Sequence, residues 1–598
     1  MSRLRFFLIF SLLTTFLFTG CQFRKTDFEK ASLSLSGKMA EDYLPENTSI
    51  LLSLNTFFDD QRDSLSFLRS YFPSFSDKTF EEQFGSTFLK EIAFTGITYD
   101  KDIRPILSDQ NRVVVAFDSN IPQSIYLSFL VKDEEKYTAL LDMFRNANGK
   151  TFGENKTFTF TEAVYKKNTI FTLNESISFT RFDDVALLSS SDKAIQASID
   201  QFASKNTLRR SPTYVSVIKR MISPYIGYAY FDAELLLRQM DDRTQSSNQI
   251  YQNVLGKDSF ARFMKAYAFT FQAEKDGIKM FGYLLGDKEI MKEQGVNLKD
   301  FRGDGQYFVK KMPASDLIFY NEGKNFKSEL ELILKSQNST NATSLPQVSP
   351  LSLESIDKFF EAWMKMDFEK DILSFLNGPY LFGFSRNEKS VLPGISFLVD
   401  ASSDVPKAQA FLSALKAQLV SGINVLTFQF SFLAPALTLG EMSVKDDTLQ
   451  VLSLDLSKIS SPEQFLPKSF PPILLNEKLT IIFGLLDNTF VFSTYSKFGE
   501  EYLKASLSDS PEFREVFSKI DGGKGEIAYA HISEAKLYID QFVDLLSYFA
   551  PSQDIKSQYE KFRMYLLPLK SVVAQTESSE YDMTVQGFLG ISEGKVSR

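Results

Sequence analysis

One stretch of the sequence occurs twice, and this repeat constrains the fold more than any other feature. The segment TYDKDIRPILSDQNRVVVAFD, from Thr98 to Asp118, returns as DFEKDILSFLNGPYLFGFS, from Asp367 to Ser385. In each copy an aromatic residue, an acid, a lysine and an aspartate precede a short apolar turn and a strand-like run. The aspartates that close this pattern are Asp102 and Asp371. The chain is therefore predicted to fold as two related units.

Further matches occur in the same order along both halves of the chain. They pair Met312-Pro313 with Leu44-Pro45, Ser396–Val399 with Ser128–Val131, Val491–Ser493 with Leu187–Ser189, Ser510-Pro511 with Ser211-Pro212, Ala528–Ala530 with Gly227–Ala229, and Val585–Leu589 with Met280–Leu284. The offset between the copies grows by about 36 residues after Val399, which predicts an insertion near 417–480.

The elements within each half predict an α+β fold of two tandem homologous domains, with mainly antiparallel sheets and helices packed on them. Strand-like and helical patterns alternate, and hairpins are frequent, as at the turn Asp276-Gly277. No βαβ phosphate loop is present. The predicted domains are 41–290 and 311–598, joined by a connection at 291–310.

Residues 1–20 have the pattern of a lipoprotein signal peptide. Arg3 and Arg5 precede an uncharged, mostly apolar run from Phe6 to Phe18, which is short for a membrane span and typical of a signal sequence. The run ends at Phe18-Thr19-Gly20-Cys21, which resembles a bacterial lipobox. That resemblance implies cleavage before Cys21 and its acylation, with palmitate or a similar chain. Cys21 is the only cysteine, so it has no disulfide partner.

The mature chain is predicted to be tethered by 21–40 and to carry a negative charge. Cleavage removes two arginines and no acids, so the formal charge changes from -9 to about -11. An acidic exported protein is a poor candidate for binding nucleic acid. The predicted location is the cell envelope, anchored by lipid outside the cytoplasmic membrane, in the outer membrane if the cell has one.

Residues 417–440 lie in the predicted insertion and carry no charge. Leu426, Phe428, Phe430 and Phe432 alternate there with polar residues, which is the period of a half-buried strand. Pro435, with Gly422 and Asn424 nearby, argues against a transmembrane helix. The strand is predicted either to join the core or to form an apolar flap that contacts lipid or a partner.

These features together resemble a family of uncharacterised bacterial envelope proteins, domain of unknown function 3352. The resemblance rests on the opening Leu44-Pro45 strand, on the turns Tyr99–Ile103 and Phe368–Ile372, and on Gly282 and Gly587 in the closing strands. It covers nearly the whole mature chain. It implies the fold and an envelope location, and it carries over no catalytic residue.

Few residues are suited to catalysis. His531 is the only histidine and aligns with Tyr230 of the first half, so a packing role is predicted. One histidine and one lipidated cysteine argue against a zinc site and against Cys-His catalysis. The string Gly590–Gly594 matches G-x-S-x-G, but it closes the chain and leaves no room for triad partners. No cofactor or metal is predicted.

The remaining candidates are the repeated acids Asp102 and Asp371. Acid pairs can flank a glycosidic bond or bind Ca²⁺. Their duplication favours a structural role instead, as caps of the turns that follow them, because a cap is needed in both units. The sequence thus favours a non-enzymatic binding or structural module. A carrier or sensor of an apolar ligand, such as a lipid, and a carboxylate-dependent envelope hydrolase remain as alternatives.

Overall fold

The fold is described from a computed structural model of the chain. It describes residues 39–55, 97, 99–106, 112–118, 124–152, 156–221, 227–236, 263–274, 276–293, 295–301, 306–331, 353–387, 390, 392–459, 474, 477–520, 525–549, 555–567 and 569–591. The predicted signal peptide 1–20, Cys21, nearly all of the predicted tether and Ser592–Gly594 lie outside these residues. Chain contacts divide the protein into two compact units, with the boundary between Ile290 and Met291.

The described part of the first unit forms a ten-stranded antiparallel sheet. Its strand order is β12-β11-β10-β1-β2-β3-β9-β8-β7-β6. The strands are β1 Thr48–Asn55, β2 Arg112–Asp118, β3 Ile125–Leu130, β6 Phe160–Tyr165, β7 Asn168–Leu173, β8 Ile177–Phe182, β9 Val185–Ser189, β10 Gly227–Asp232, β11 Met264–Glu274 and β12 Gly277–Gly286. A separate two-stranded hairpin pairs β4, Thr151–Phe152, with β5, Lys156–Thr157.

The described part of the second unit forms a sheet of the same size, antiparallel throughout. Its strand order is β22-β21-β20-β13-β14-β15-β19-β18-β17-β16. The strands are β13 Leu317–Gly323, β14 Tyr380–Ser385, β15 Gly394–Asp400, β16 Leu437–Val444, β17 Asp447–Asp455, β18 Lys478–Leu486, β19 Thr489–Ser493, β20 Glu526–Ala530, β21 Leu569–Ser578 and β22 Asp582–Ile591.

The two sheets have the same topology. Each strand of one sheet has a counterpart at the same place in the other, so that β1 corresponds to β13 and β6 to β16. An isolated bridge also recurs, as Pro45 with Thr207 and as Pro313 with Ser506. The predicted α+β class with antiparallel sheets is confirmed. Descent of the two units from one ancestor stays a prediction, and the shared strand order is what such descent requires.

The described residues also form eleven α-helices. They are α1 Glu134–Ala147, α2 Asp192–Ser204, α3 Pro212–Ile218, α4 Lys288–Glu293, α5 Leu298–Phe301, α6 Leu353–Met364, α7 Val405–Gln429, α8 Phe498–Tyr502, α9 Pro511–Phe517, α10 Ile532–Phe549 and α11 Ile555–Leu566. Ser211 caps α3 by accepting the N–H of Tyr214, and Ser510 caps α9 by accepting that of Phe513. Each cap satisfies a backbone donor at a helix start that would otherwise have no partner.

Central strands of each sheet are covered on both faces, which explains their apolar runs. In β9 every residue is buried. Val185 and Leu187 pack into one core with α2 and α3, while Ala186 and Leu188 pack into another with α1. In β19 Val491 faces one core of the second unit and Phe490 faces the other. Successive side chains of a strand point to opposite faces, so a strand covered on both sides is apolar along most of its length.

Two sequence-based predictions differ from the structure, and the predicted insertion has two sources. The pattern from Ile92 to Tyr99 predicts a strand, but Tyr99 begins a π-helical turn, Tyr99–Ile103, whose counterpart is Phe368–Ile372. A lone tryptophan on a helix predicts a core position, but Trp363 is 38% exposed. The extra length near 417–480 arises because α7 has 25 residues against 14 in α1, and because 22 residues separate β17 from β18 against three between β7 and β8.

Candidate apolar binding surface

The longest described helix, α7, begins at a conventional cap. The Asp404 carboxylate accepts the N–H of Lys407, and Pro406 lies in the first turn, where its missing N–H costs nothing. The sequence KAQAFLSALKAQL that follows consists almost entirely of strong helix formers. The helix therefore continues without a break until Phe430, whose backbone is no longer helical.

The first half of α7 is fixed to the core of the second unit. Ala408 and Phe411 are buried, and Leu412 and Leu415 pack partly against the same cluster. The Phe411 ring lies 5.6 Å from that of Phe375 and 5.9 Å from that of Phe490, measured between centroids. These contacts hold the helix as far as Lys416.

The second half of α7 extends out of this packing. None of its residues from Ala417 to Gln429 is buried. Exposed apolar side chains continue through the first residue after the helix, and we call them the distal helix surface: Val420, Val425, Leu426, Phe428 and Phe430. Phe428 is 89% exposed. Exposed apolar groups of this size on one segment mark a place where a protein meets a partner or a membrane.

The distal helix surface is apolar on several sides. Successive helical residues are turned by about 100°, so Val420, Val425 and Leu426 point in widely different directions around the axis. Leu419, Ile423 and Thr427 form a half-buried stripe along one side, and Gln418 is half-buried as well. A helix that is apolar all round is ordinarily enclosed, either by a core or by lipid. Here most of its circumference is open.

The predicted strand at Leu426, Phe428, Phe430 and Phe432 was wrong. Leu426 and Phe428 lie in α7, Phe430 ends it, and Phe432 lies in the 3-10 turn Ser431–Leu433. An alternating pattern specifies a strand only when one face meets a core, and no core lies beside this segment. Gly422 and Asn424 do not interrupt the helix, and Pro435 follows its end.

Two charged groups lie where the distal helix surface begins. The Lys416 Nζ atom is 2.7 Å from Oε1 of Glu441, in β16. The Gln450 side chain donates to the same Glu441 oxygen. Between Lys416 and Glu441 no residue carries a charge. The ion pair therefore lies between the charged protein surface and the distal helix surface.

By length and composition, α7 is the one helix of the described residues that could cross a membrane. Core helices of soluble proteins pass the same test, but they are mostly buried. Only 6% of the apolar window of α7 is buried. Core packing therefore does not account for its composition.

Two groups of exposed apolar residues in the second unit were not singled out from the sequence. Val420 and Val425 were missed, although the absence of charge between Ala417 and Gly440 points to them. A further exposed aromatic pair, Phe359 and Trp363, lies on α6 with ring centroids 5.5 Å apart. Both belong to the second unit.

The repeated acids lie in the π-helical turns. The Asp371 carboxylate accepts the backbone N–H of Asp367 at 3.0 Å, four residues before it, rather than one in the turn after it. The cap of this turn is Asp367, whose carboxylate accepts the N–H of Lys370. Asp102 occupies the equivalent place in Tyr99–Ile103 and is half-buried. In the second unit the repeated acid thus serves the backbone, although not at the position that the sequence suggested.

His531 lies beside a strand rather than in a cluster of reactive groups. The backbone N–H of His531 donates to the Ile318 carbonyl, and its imidazole ring stacks on Tyr529. Burial lowers the pKa of the imidazole, although Glu534 and Glu512 oppose this effect. Within the described residues no three His, Cys, Asp or Glu side chains lie close enough to hold a metal ion.

The comparisons with known proteins give a family. A sequence profile of the family described as protein of unknown function (DUF3352) matches residues 11–433. The chain belongs to this family. The DUF3352 match ends in the turn that follows α7, so it is shorter than the resemblance expected over nearly the whole mature chain. It includes Cys21 and the distal helix surface.

The solved structures that match are too dissimilar to support a functional assignment. Crystal form IV of TP0453 is 8% identical, with a TM-score of 0.24, and the match covers 42% of this chain and 81% of that one. Crystal form III has the same identity and TM-score, with 44% and 88% covered. The search of curated proteins found no match.

Proposed function

We propose that the protein is a non-enzymatic, lipid-anchored module of the cell envelope that binds an apolar partner through the distal helix surface. The observation that carries this proposal is the exposure of Phe428 at the end of a helix whose first half is fixed to the core. The anchor rests on the lipobox resemblance at Cys21, and the envelope location follows from that anchor.

Several observations support a binding role over a hydrolytic one. Asp371 bonds a backbone N–H, which leaves it less suited to flank a glycosidic bond. His531 is partly buried and stacked. The side chains of the distal helix surface, in contrast, belong to neither of the buried clusters described for the second unit.

The test is a photo-cross-linking experiment on the full chain in its native cells. A photoreactive phenylalanine analogue replaces Phe428 and, as a matched control, Val164, which is 78% exposed on β6, the first-unit counterpart of β16. The proposal predicts a cross-linked product at position 428 that is absent at position 164. Equal labelling at the two positions, or none at 428, would contradict a binding role for this surface.

A further inference from the structure

We propose that the partner of the distal helix surface is the acyl-chain region of a lipid bilayer, and this inference rests on the binding function proposed above. The segment enters one leaflet without crossing the membrane. Its insertion is driven by burial of apolar side chains and owes nothing to lipid charge.

The distribution of apolar groups favours lipid over a protein partner. Val420, Val425 and Leu426 face different directions, and all three are exposed. A second copy of the chain, or another protein with a flat or grooved surface, would cover one side of the helix and leave the others in water. A lipid phase surrounds an inserted helix on all sides, which matches exposed apolar side chains on several sides of the helix.

The length of the free segment matches one leaflet. From Ala417 to Gln429 the helix rises about 20 Å at 1.5 Å per residue. One leaflet is about 15 Å thick in its hydrocarbon region and about 20–22 Å thick with its headgroups. The rest of the helix is unavailable for crossing, because Ala408 and Phe411 are buried in the second unit. Lys416 and Glu441 would then lie at the polar interface, where charged groups remain hydrated.

The charges of the chain exclude an electrostatic contribution to insertion. No residue between Lys416 and Glu441 is charged, and the whole chain has a formal charge of -9. Membrane-surface helices that select anionic lipids are rich in lysine and arginine. The distal segment lacks them, so zwitterionic and anionic vesicles should bind it about equally, within about twofold, and added salt should have little effect.

The experiment uses the acylated full chain reconstituted into phosphatidylcholine vesicles with or without brominated acyl chains. Trp363→Phe removes the only native tryptophan. In that background Phe428→Trp places a probe on the distal helix surface, and Val164→Trp places a control probe on the first unit. Both positions are exposed, so both variants should fold, which circular dichroism checks.

The inference predicts that brominated lipid quenches the probe at position 428 at least about twofold more than the probe at position 164, with emission shifted to the blue. Equal quenching at both positions would overturn it. An unquenched probe that shifts to the blue when protein concentration is raised, or when envelope proteins are added, would overturn the lipid partner and leave the binding function standing. A probe at position 428 that stays water-like under every condition would overturn both.

Discussion

The same substitution should change the unfolding free energy by very different amounts at two phenylalanines of α7. Phe411 is 9% exposed and contacts the rings of Phe375 and Phe490, while Phe428 is 89% exposed. Phe411→Ala removes a packed ring from the core of the second unit. Phe428→Ala removes a ring that the fold does not use. The pair therefore separates the fixed half of the helix from the free half.

The magnitudes follow from burial. Replacing a buried phenylalanine by alanine costs about 3–5 kcal/mol of unfolding free energy, because it removes transfer free energy and leaves a cavity. Phe411 is not fully buried, so we expect a value near the lower limit, about 3 kcal/mol. An exposed substitution changes the unfolding free energy by less than about 0.5 kcal/mol. The helix propensity of alanine could even make Phe428→Ala slightly stabilising.

The assay is urea unfolding followed by the fluorescence of Trp363. This residue is the only tryptophan and lies on α6, so its signal reports the second unit alone. With a slope of about 3 kcal/mol per M, Phe411→Ala should lower the midpoint by about 1 M. Phe428→Ala should leave it within about 0.2 M of the parent.

A loss of more than about 1.5 kcal/mol in Phe428→Ala would refute the reasoning, because only a packed ring gives such a loss. The distal helix surface would then be part of a core. A small loss in Phe411→Ala would be equally damaging, since the first half of the helix would no longer be fixed.

Three further predictions concern the second unit, read by the same Trp363 signal. Ser510→Ala should cost about 1 kcal/mol, because the N–H of Phe513 loses its cap, while Ser518→Ala, at an exposed position, should change little. Burial lowers the pKa of His531, so the unfolded chain binds a proton at a higher pH than the folded chain does. The contribution of His531 to stability should be full above the unfolded pKa of 6.5 and fall as pH drops below it, and His531→Tyr should remove this loss. Burial raises the pKa of Glu322, whose carboxylate accepts from the Tyr320 hydroxyl and from the N–H groups of Tyr307 and Phe308. The contribution of Glu322 to stability should be full below the unfolded pKa of 4.5 and be lost as pH rises through the folded pKa, and Glu322→Gln should flatten this dependence.

The sequence repeat was sufficient to predict the fold class, and the reason lies in the strands. Segments such as Val185–Ser189 and Thr489–Ser493 are covered on both faces, so their composition is tightly restricted in each copy. Matching segments therefore recur at the same places in two sheets with the same strand order. The starts of α3 and α9 are equally predictable, because Ser211-Pro212 and Ser510-Pro511 combine a capping serine with a first-turn proline.

Exposure could not be predicted in the same way. The alternation from Leu426 to Phe432 indicates a strand only if a core receives one face, and a sequence does not show where a core ends. Trp363 illustrates the same difficulty. Helix α6 buries the side that carries Phe360, which stacks on Phe368, and this leaves Trp363 on the outer side. The role of Asp371 could not be predicted from the sequence, because it depends on the π-helical turn, in which the capping residue is Asp367.

The central claim is that the distal helix surface inserts into lipid, and vesicle flotation tests it most directly. The chain from Gln22 lacks the predicted acyl anchor but keeps every described residue. With zwitterionic vesicles, Leu426→Asp combined with Phe428→Asp should lower partitioning more than about 100-fold, because two apolar side chains each contribute about 1.5 kcal/mol or more when buried. Val164→Asp should change partitioning less than about twofold. Equal partitioning of the parent and the double variant would contradict the account.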